Sequence, residues 1–147
     1  DALARGQLSV VEGRFNTDIA MYSAFDNPIK DEKANTFYLG RNLRSSRNFN
    51  ALVVHEAVHA SFDLSRATLP WIDAEAAGYI AQGYYLRNAG YPSSRLETGS
   101  SARVGYLLVD DILNGGDAKF FLDALRDSVR GDPHYRDYIA GTFSGNG

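Results

Sequence analysis

The chain has 147 residues, a formal net charge of −3, 44% hydrophobic residues and no cysteine. Its length and apolar content suffice for one core, so we expect a single domain over residues 1–147. The charged residues form no basic stripe, which argues against nucleic acid or an anionic membrane as a partner. The lack of cysteine excludes disulfides and thiolates, and leaves His, Asp and Glu as candidate metal ligands.

The sequence has no apolar run near the roughly 20 residues of a membrane span, and no secretory signal pattern at its start. These features predict a soluble protein. The chain begins at Asp1 rather than at methionine. A processed product or an excised domain of a longer protein therefore also fits, and the compartment stays open. In that case an inhibitor, an immunity protein or a precursor segment is one further option for a partner.

The N-terminal part of the sequence is the hardest to assign. The segments Leu8 to Val11 and Ile19 to Phe25 fit either a strand or a helix. A turn is predicted at Asn27-Pro28. The segment from Thr36 to Leu39 is rich in β-formers and stops at Gly40, which predicts a strand. It is either an edge strand to which an extended peptide adds or a core strand.

The first predicted helix follows Ser45 and Ser46, either of which can cap it. It ends by Ser65, before Pro70. Its apolar residues recur at the three-and-four spacing of one buried face. These residues are Phe49, Leu52, Val53, Ala57 and Ala60.

Three further helices are predicted, from a cap at Asp73 to about Asn88, from Ala102 to Leu113, and after a cap at Asp117. The last seven residues read as a loose tail. Together the elements predict an α+β domain, mostly helical, with a small β-sheet before the first helix. The residues expected to face inward are Val104, Leu107, Leu108 and Ile112 in the third helix and Ala118, Phe121, Leu122, Leu125 and Val129 in the fourth, and Phe120 is also expected in the core.

The first predicted helix contains the pattern H-E-x-x-H, formed by His55, Glu56 and His59. Residues four apart stack on one helix face, so both imidazoles can reach one metal ion. Glu56 is offset by about 100° from His55, which keeps it off the metal but near a metal-bound water. We therefore predict a Zn²⁺ site with Glu56 as general base. The alternative is a surface helix that contains two histidines.

A catalytic zinc site needs a third protein ligand and leaves a position for water. Glu75 lies 16 positions after His59, which allows the chain to reverse and a second helix to approach. The neighbouring small residues, Ala74 to Gly78, would allow close packing near the metal. Asp73 is the competing ligand, but as a cap its side chain would bind backbone amides. A purely structural role for Glu75, complementing the helix dipole, is the other alternative.

The segment from residue 45 to residue 88 resembles the gluzincin class of metallopeptidases, in which H-E-x-x-H is followed by a glutamate on a second helix. The part from Val53 to Asp63 looks like the thermolysin-type active-site helix. Asp73-Ala74-Glu75-Ala76 with Tyr79 is closer to ImmA/IrrE-like metallopeptidases and to metallopeptidase domains of bacterial toxins. The resemblance implies a strand and helix core with the substrate along an edge strand. The chain departs from thermolysin because no aspartate follows Glu75 by four positions.

Secondary roles fall on four other residues. Asp63 lies one turn beyond His59 and either orients a ligand imidazole or is a solvated acid. Peptide hydrolysis needs a donor for the oxyanion besides zinc, and His134, Tyr135 and Tyr138 are the candidates, with His134 preferred. Each of the three could equally be an ordinary surface or packing residue.

The pattern as a whole predicts a zinc metallopeptidase that acts on a peptide or protein substrate. Glu56 would activate a zinc-bound water, and His134 would assist the oxyanion. One alternative is a zinc amidase or toxin module that acts on cell-wall peptides. Another is a binding or regulatory domain that uses zinc for stability alone. Glu56 favours the enzyme, because a structural metal site does not require it.

Overall fold

The computed structural model describes residues 2–15, 17, 19–41 and 46–147. The described residues form four helices, a three-stranded mixed sheet and a two-stranded sheet, which confirms the predicted α+β class. The three-stranded sheet precedes the first helix in sequence, as expected. The elements are β1 (Ser9–Glu12), β2 (Ala20–Ser23), β3 (Thr36–Leu39), α1 (Arg47–Leu64), β4 (Thr68–Pro70), α2 (Trp71–Asn88), α3 (Ser101–Leu113), α4 (Lys119–Gly131) and β5 (Thr142–Ser144).

The larger sheet has the strand order β1-β3-β2. The central strand, β3, is parallel to β1 and antiparallel to β2. The prediction of a strand at Thr36 to Leu39 is therefore confirmed, but its interpretation as an edge strand is wrong. Both ambiguous N-terminal segments turn out to be strands, and they cover the two edges of β3. This leaves β2 as the edge strand nearest to α1.

The buried face of α1 differs from the face that the apolar residues predicted. Ser46 caps the helix and its hydroxyl accepts a hydrogen bond from the Phe49 amide at 3.1 Å, whereas Ser45 lies outside the described residues. The helix ends at Leu64, as predicted. Ala57 is exposed, because polar residues occupy much of the buried face. The buried residues of α1 are Phe49, Ala51, His55, His59, Ala60 and Asp63.

The second helix begins at Trp71, two residues before the predicted cap. Asp73 does not cap it. Its carboxylate accepts hydrogen bonds from Arg126 of α4 at 2.8 and 2.9 Å, so a partner from a distant helix replaces the local amides. The helix runs antiparallel to α1, since Asn50 near the start of α1 bonds to Tyr85 near the end of α2.

The last two helices pack largely as predicted. All five stripe residues of α4 belong to or pack against the largest apolar cluster, which α2, α3 and α4 share. Asp117 lies one position before the helix cap, and its carboxylate accepts the Lys119 amide. Two core predictions are wrong. Phe120 is 72% exposed because it lies one position off the stripe, and Ile112 is 37% exposed because α3 packs through Gly105 and Val109 instead. Within the described residues, no helix combines the length and apolarity needed to cross a membrane.

The last residues are not the loose tail that the sequence predicts. Strand β5 pairs antiparallel with β4. Phe143 is 1% exposed, and its ring packs against Trp71 with centroids 4.9 Å apart. Beyond the strand, the Gly145 amide donates to the Ala67 carbonyl. The burial of one aromatic side chain, together with these backbone bonds, fixes the segment against α1 and α2.

This packing predicts that Phe143→Ala lowers the free energy of unfolding by about 3–5 kcal/mol, as expected for a truncated buried Phe. Urea denaturation followed by circular dichroism measures the change. Phe120→Ala is the matched control, because the Phe120 side chain is largely exposed. It should change the stability by less than about 0.5 kcal/mol. Equal effects of the two substitutions would contradict a docked C-terminal segment.

Candidate metal centre

Two histidines of α1 and one glutamate of α2 form a buried cluster. His55 Nε2 lies 3.2 Å from Glu75 Oε2, and His59 Nε2 lies 3.6 Å from the same oxygen. One ligand atom from each residue lies within 4.8 Å of the other two. Nitrogen and carboxylate oxygen are ordinary metal donors, so this group could hold a metal ion.

Helix geometry explains why these side chains meet. His55 and His59 lie one turn apart on the face of α1 that packs against α2. Gly78 lies on α2 one turn after Glu75 and gives the His55 ring its space, since a Cβ there would lie 2.6 Å from His55 Nε2. Ala74 and Ala76 are buried as well. The predicted close packing of small residues at the cluster is therefore confirmed.

The second nitrogen of each imidazole has no protein partner. Among the described residues, His55 Nδ1 and His59 Nδ1 are buried and make no hydrogen bond. The expectation that Asp63 orients one of these rings is therefore wrong. The Asp63 carboxylate instead accepts hydrogen bonds from the Tyr22 hydroxyl at 2.6 Å and the Asn146 amide at 2.7 Å. Both of its oxygens are used away from the histidines.

The electrostatics of the cluster keep Glu75 an anion. Burial alone would raise the pKa of Glu75, but the hydrogen bonds of His55 and His59 lower it to about 2. For His59, burial lowers the pKa, while the hydrogen bond and charge of Glu75 outweigh burial and raise it. The carboxylate and the imidazoles thus compensate one another's charge where a cation could replace the protons.

Glu56 lies beside the cluster but is not one of its ligands. Its Oε2 accepts the backbone N–H of Tyr22 at 2.8 Å. No described residue donates a hydrogen bond to Oε1, and the side chain lines the cleft in front of the cluster. Burial raises the pKa of Glu56, and the charges of His55 and His59 oppose that shift. The carboxylate can therefore accept a proton at the mouth of the metal centre.

The cluster opens into a cleft of about 740 Å³ between the segment that begins with β2 and the residues after α4. His134, Tyr135 and Tyr138 all line this cleft. His134 is exposed, and its ring lies 5.1 Å from that of Tyr135. Tyr135 is buried, and its hydroxyl lies 2.6 Å from the Tyr79 hydroxyl. The structure thus brings all three candidate donors to the cleft.

The phenols near the cluster are protonated at neutral pH. Burial raises the pKa of Tyr79 to about 12, against an opposing hydrogen bond from Tyr135. Burial, followed by the charge of Glu75, raises the pKa values of Tyr135 and Tyr138 as well. All three can therefore act as hydrogen-bond donors in the cleft.

Sequence reasoning missed Tyr22. This residue lies in a segment that fitted a strand or a helix, and its contacts with Glu56 and Asp63 join residues 34 and 41 positions apart. The alternation of side chains in β2 signals only a strand, so no local pattern identifies the tyrosine.

No protein-family model, curated protein or solved structure matches the chain. The functional argument therefore depends on the geometry of the cluster and the cleft.

The role of Gly78 as the space for His55 predicts that Gly78→Ala weakens Zn²⁺ binding by about 10- to 100-fold, as expected when the support of a metal ligand is disturbed. Competition with a chromophoric chelator measures the affinity. Gly131→Ala is the control, because a Cβ there meets no atom within 4 Å. Unchanged affinity in Gly78→Ala would show that the ring tolerates the added methyl group.

Proposed function

We propose that this protein is a zinc-dependent hydrolase that cleaves peptide bonds. The observation that carries the proposal is the arrangement of four side chains. His55, His59 and Glu75 converge on one point, and Glu56 stands beside them as a separate carboxylate facing the same cleft.

The donor set favours zinc in a catalytic role. Two imidazoles and one carboxylate are a ligand set of catalytic zinc, whereas structural zinc sites are closed by four protein ligands. Among the described residues, the cluster has three ligands. It also borders an open cleft. Both features support catalysis over a metal kept for stability alone.

The chain's own residues divide the work of hydrolysis. Zinc, when bound, supplies a Lewis acid that polarises a carbonyl and lowers the pKa of water. Glu56 accepts the proton of the attacking water and later delivers it to the leaving amine. Its Oε2 is already held by the Tyr22 N–H, so Oε1 is the oxygen that receives the proton. No other carboxylate of the cluster is free for this role, because Glu75 is a ligand.

The edge of β2 supports a peptide substrate. This strand pairs with β3 on one side and has no strand on its other side within the described residues. Residues Met21 to Ser23 line the cleft. An extended peptide can add along such an edge through main-chain hydrogen bonds. The substrate edge is thus β2 rather than β3.

We assign the donor to the oxyanion to His134. The other two candidates are phenols, and the hydroxyl of Tyr135 is already paired with Tyr79. His134 is exposed to the cleft, with its ring free to approach a bound substrate. Tyr138 also lines the cleft and is the competitor to be tested.

Glu56→Gln should reduce hydrolysis by about 10²- to 10⁴-fold, the usual contribution of a general base, while zinc remains bound. The assay is the cleavage of a quenched fluorogenic mixture of random hexapeptides, with the zinc content measured in parallel. Glu12→Gln is the matched control, since Glu12 is exposed on β1. Activity that survives in Glu56→Gln, or that survives removal of zinc by a chelator, would refute the proposed mechanism.

His134→Ala should lower kcat by about 10²-fold with little change in KM, because an oxyanion donor acts mainly in the transition state. The same peptide mixture measures both constants. Tyr138→Phe serves as the comparison variant. If Tyr138→Phe loses kcat and His134→Ala does not, the donor is the tyrosine.

A further inference from the structure

One residue of β2 is bonded to α1 at two points. The Tyr22 backbone N–H donates to Glu56 Oε2 at 2.8 Å, and its hydroxyl donates to Asp63 Oδ2 at 2.6 Å. Glu56 and Asp63 lie seven residues apart on α1, close to two helical turns, so they share one face. Tyr22 lies along this face and connects the two carboxylates.

Asp63 is a fixed anchor for the phenol. It is 0% exposed and has no cationic partner among the described residues. A buried carboxylate is costly unless hydrogen bonds satisfy it. Its second oxygen accepts the Asn146 amide, and the Asn146 side chain in turn donates to the Ala24 carbonyl at 2.7 Å. The segment after β5 therefore holds both the anchor and the end of β2.

The geometry of Glu56 depends on these contacts. Among the described residues, the Tyr22 N–H is the one donor to the Glu56 carboxylate. An edge strand such as β2 has a neighbouring strand on one side only, so its distance from α1 is not set by the sheet. The Tyr22 hydroxyl supplies a direct bond across that gap, to a residue of the same helix that carries Glu56.

We propose that Tyr22 is a positioning residue for Glu56, with Asp63 as its anchor. Asp63 holds the phenol, the phenol holds the strand, and the strand's N–H holds Glu56 Oε2 so that Oε1 faces the cleft. The inference rests on the proposed function for the role of Glu56 as proton acceptor. It adds two residues that touch neither the metal ligands' donor atoms nor the substrate edge itself.

Two small anions test this role without a substrate. Acetohydroxamic acid must lose a proton to bind a metal as an anion, and Glu56 is the acceptor within reach. Azide is already an anion and needs no acceptor. Both change the visible absorption of Co²⁺, so titrating each into the Co²⁺-loaded protein gives two affinities that differ in their dependence on Glu56.

Tyr22→Phe keeps the ring and the backbone N–H and removes the hydroxyl alone. We expect it to weaken acetohydroxamic acid by about three- to tenfold and azide by less than about twofold, since one hydrogen bond is lost at a distance from the metal. Glu56→Gln should show the same selectivity with a larger effect. Tyr85→Phe is the matched control, because it removes another phenol contact to α1, with Asn50 at 3.1 Å. It should change neither affinity.

Asp63→Asn should reproduce the pattern of Tyr22→Phe if it folds, and Tyr22→Phe decides alone if it does not. The inference is overturned if Tyr22→Phe binds acetohydroxamic acid as the wild type does. It is also overturned if azide weakens equally, since the hydroxyl would then be a general structural contact. Failure of the wild-type protein to bind Co²⁺ would instead overturn the proposed function, and this inference with it.

Discussion

The close approach of α1 and α2 at the three-residue cluster is the constraint on which the rest of the molecule depends. The face of α1 that meets α2 carries two imidazoles, and these groups would be costly to bury without partners. Glu75 supplies the partner for both, and Gly78 supplies the space. A polar centre can exist there because two helices approach without large side chains between them.

Apolar packing around this centre provides the stability that the polar face of α1 does not. The largest cluster joins α2, α3 and α4, and a second one surrounds Phe143 beside the cleft. A third packs Ala51 of α1 against Leu86 of α2, at the far end of the helix pair. The centre therefore lies between apolar contacts that fix both helices, and its geometry does not depend on the cluster's own bonds. This arrangement suits a site whose ligands must hold their positions with one coordination position left for chemistry.

Local spacing explains what could be predicted from the sequence. The four-residue separation of His55 and His59 requires only that the segment be helical, and Glu75 follows once a second helix packs antiparallel. The pairing of the N-terminal strands, by contrast, depends on β3 as their common neighbour. Asp73 and Asp63 were assigned to local amides or nearby rings, but Arg126 and Tyr22 come from elsewhere in the chain. The C-terminal segment was misread because its single buried aromatic residue, Phe143, has no periodic pattern around it.

The central claim is that His55, His59 and Glu75 together bind one zinc ion. Its most direct test is the metal content of the wild-type protein and of Glu75→Gln and Asp73→Asn, after reconstitution with Zn²⁺ and dialysis against a weak chelator. We predict about one zinc per chain in the wild type and in Asp73→Asn, and far less in Glu75→Gln. A wild-type protein that retains no zinc, or a Glu75→Gln variant that retains as much as the wild type, would contradict the claim.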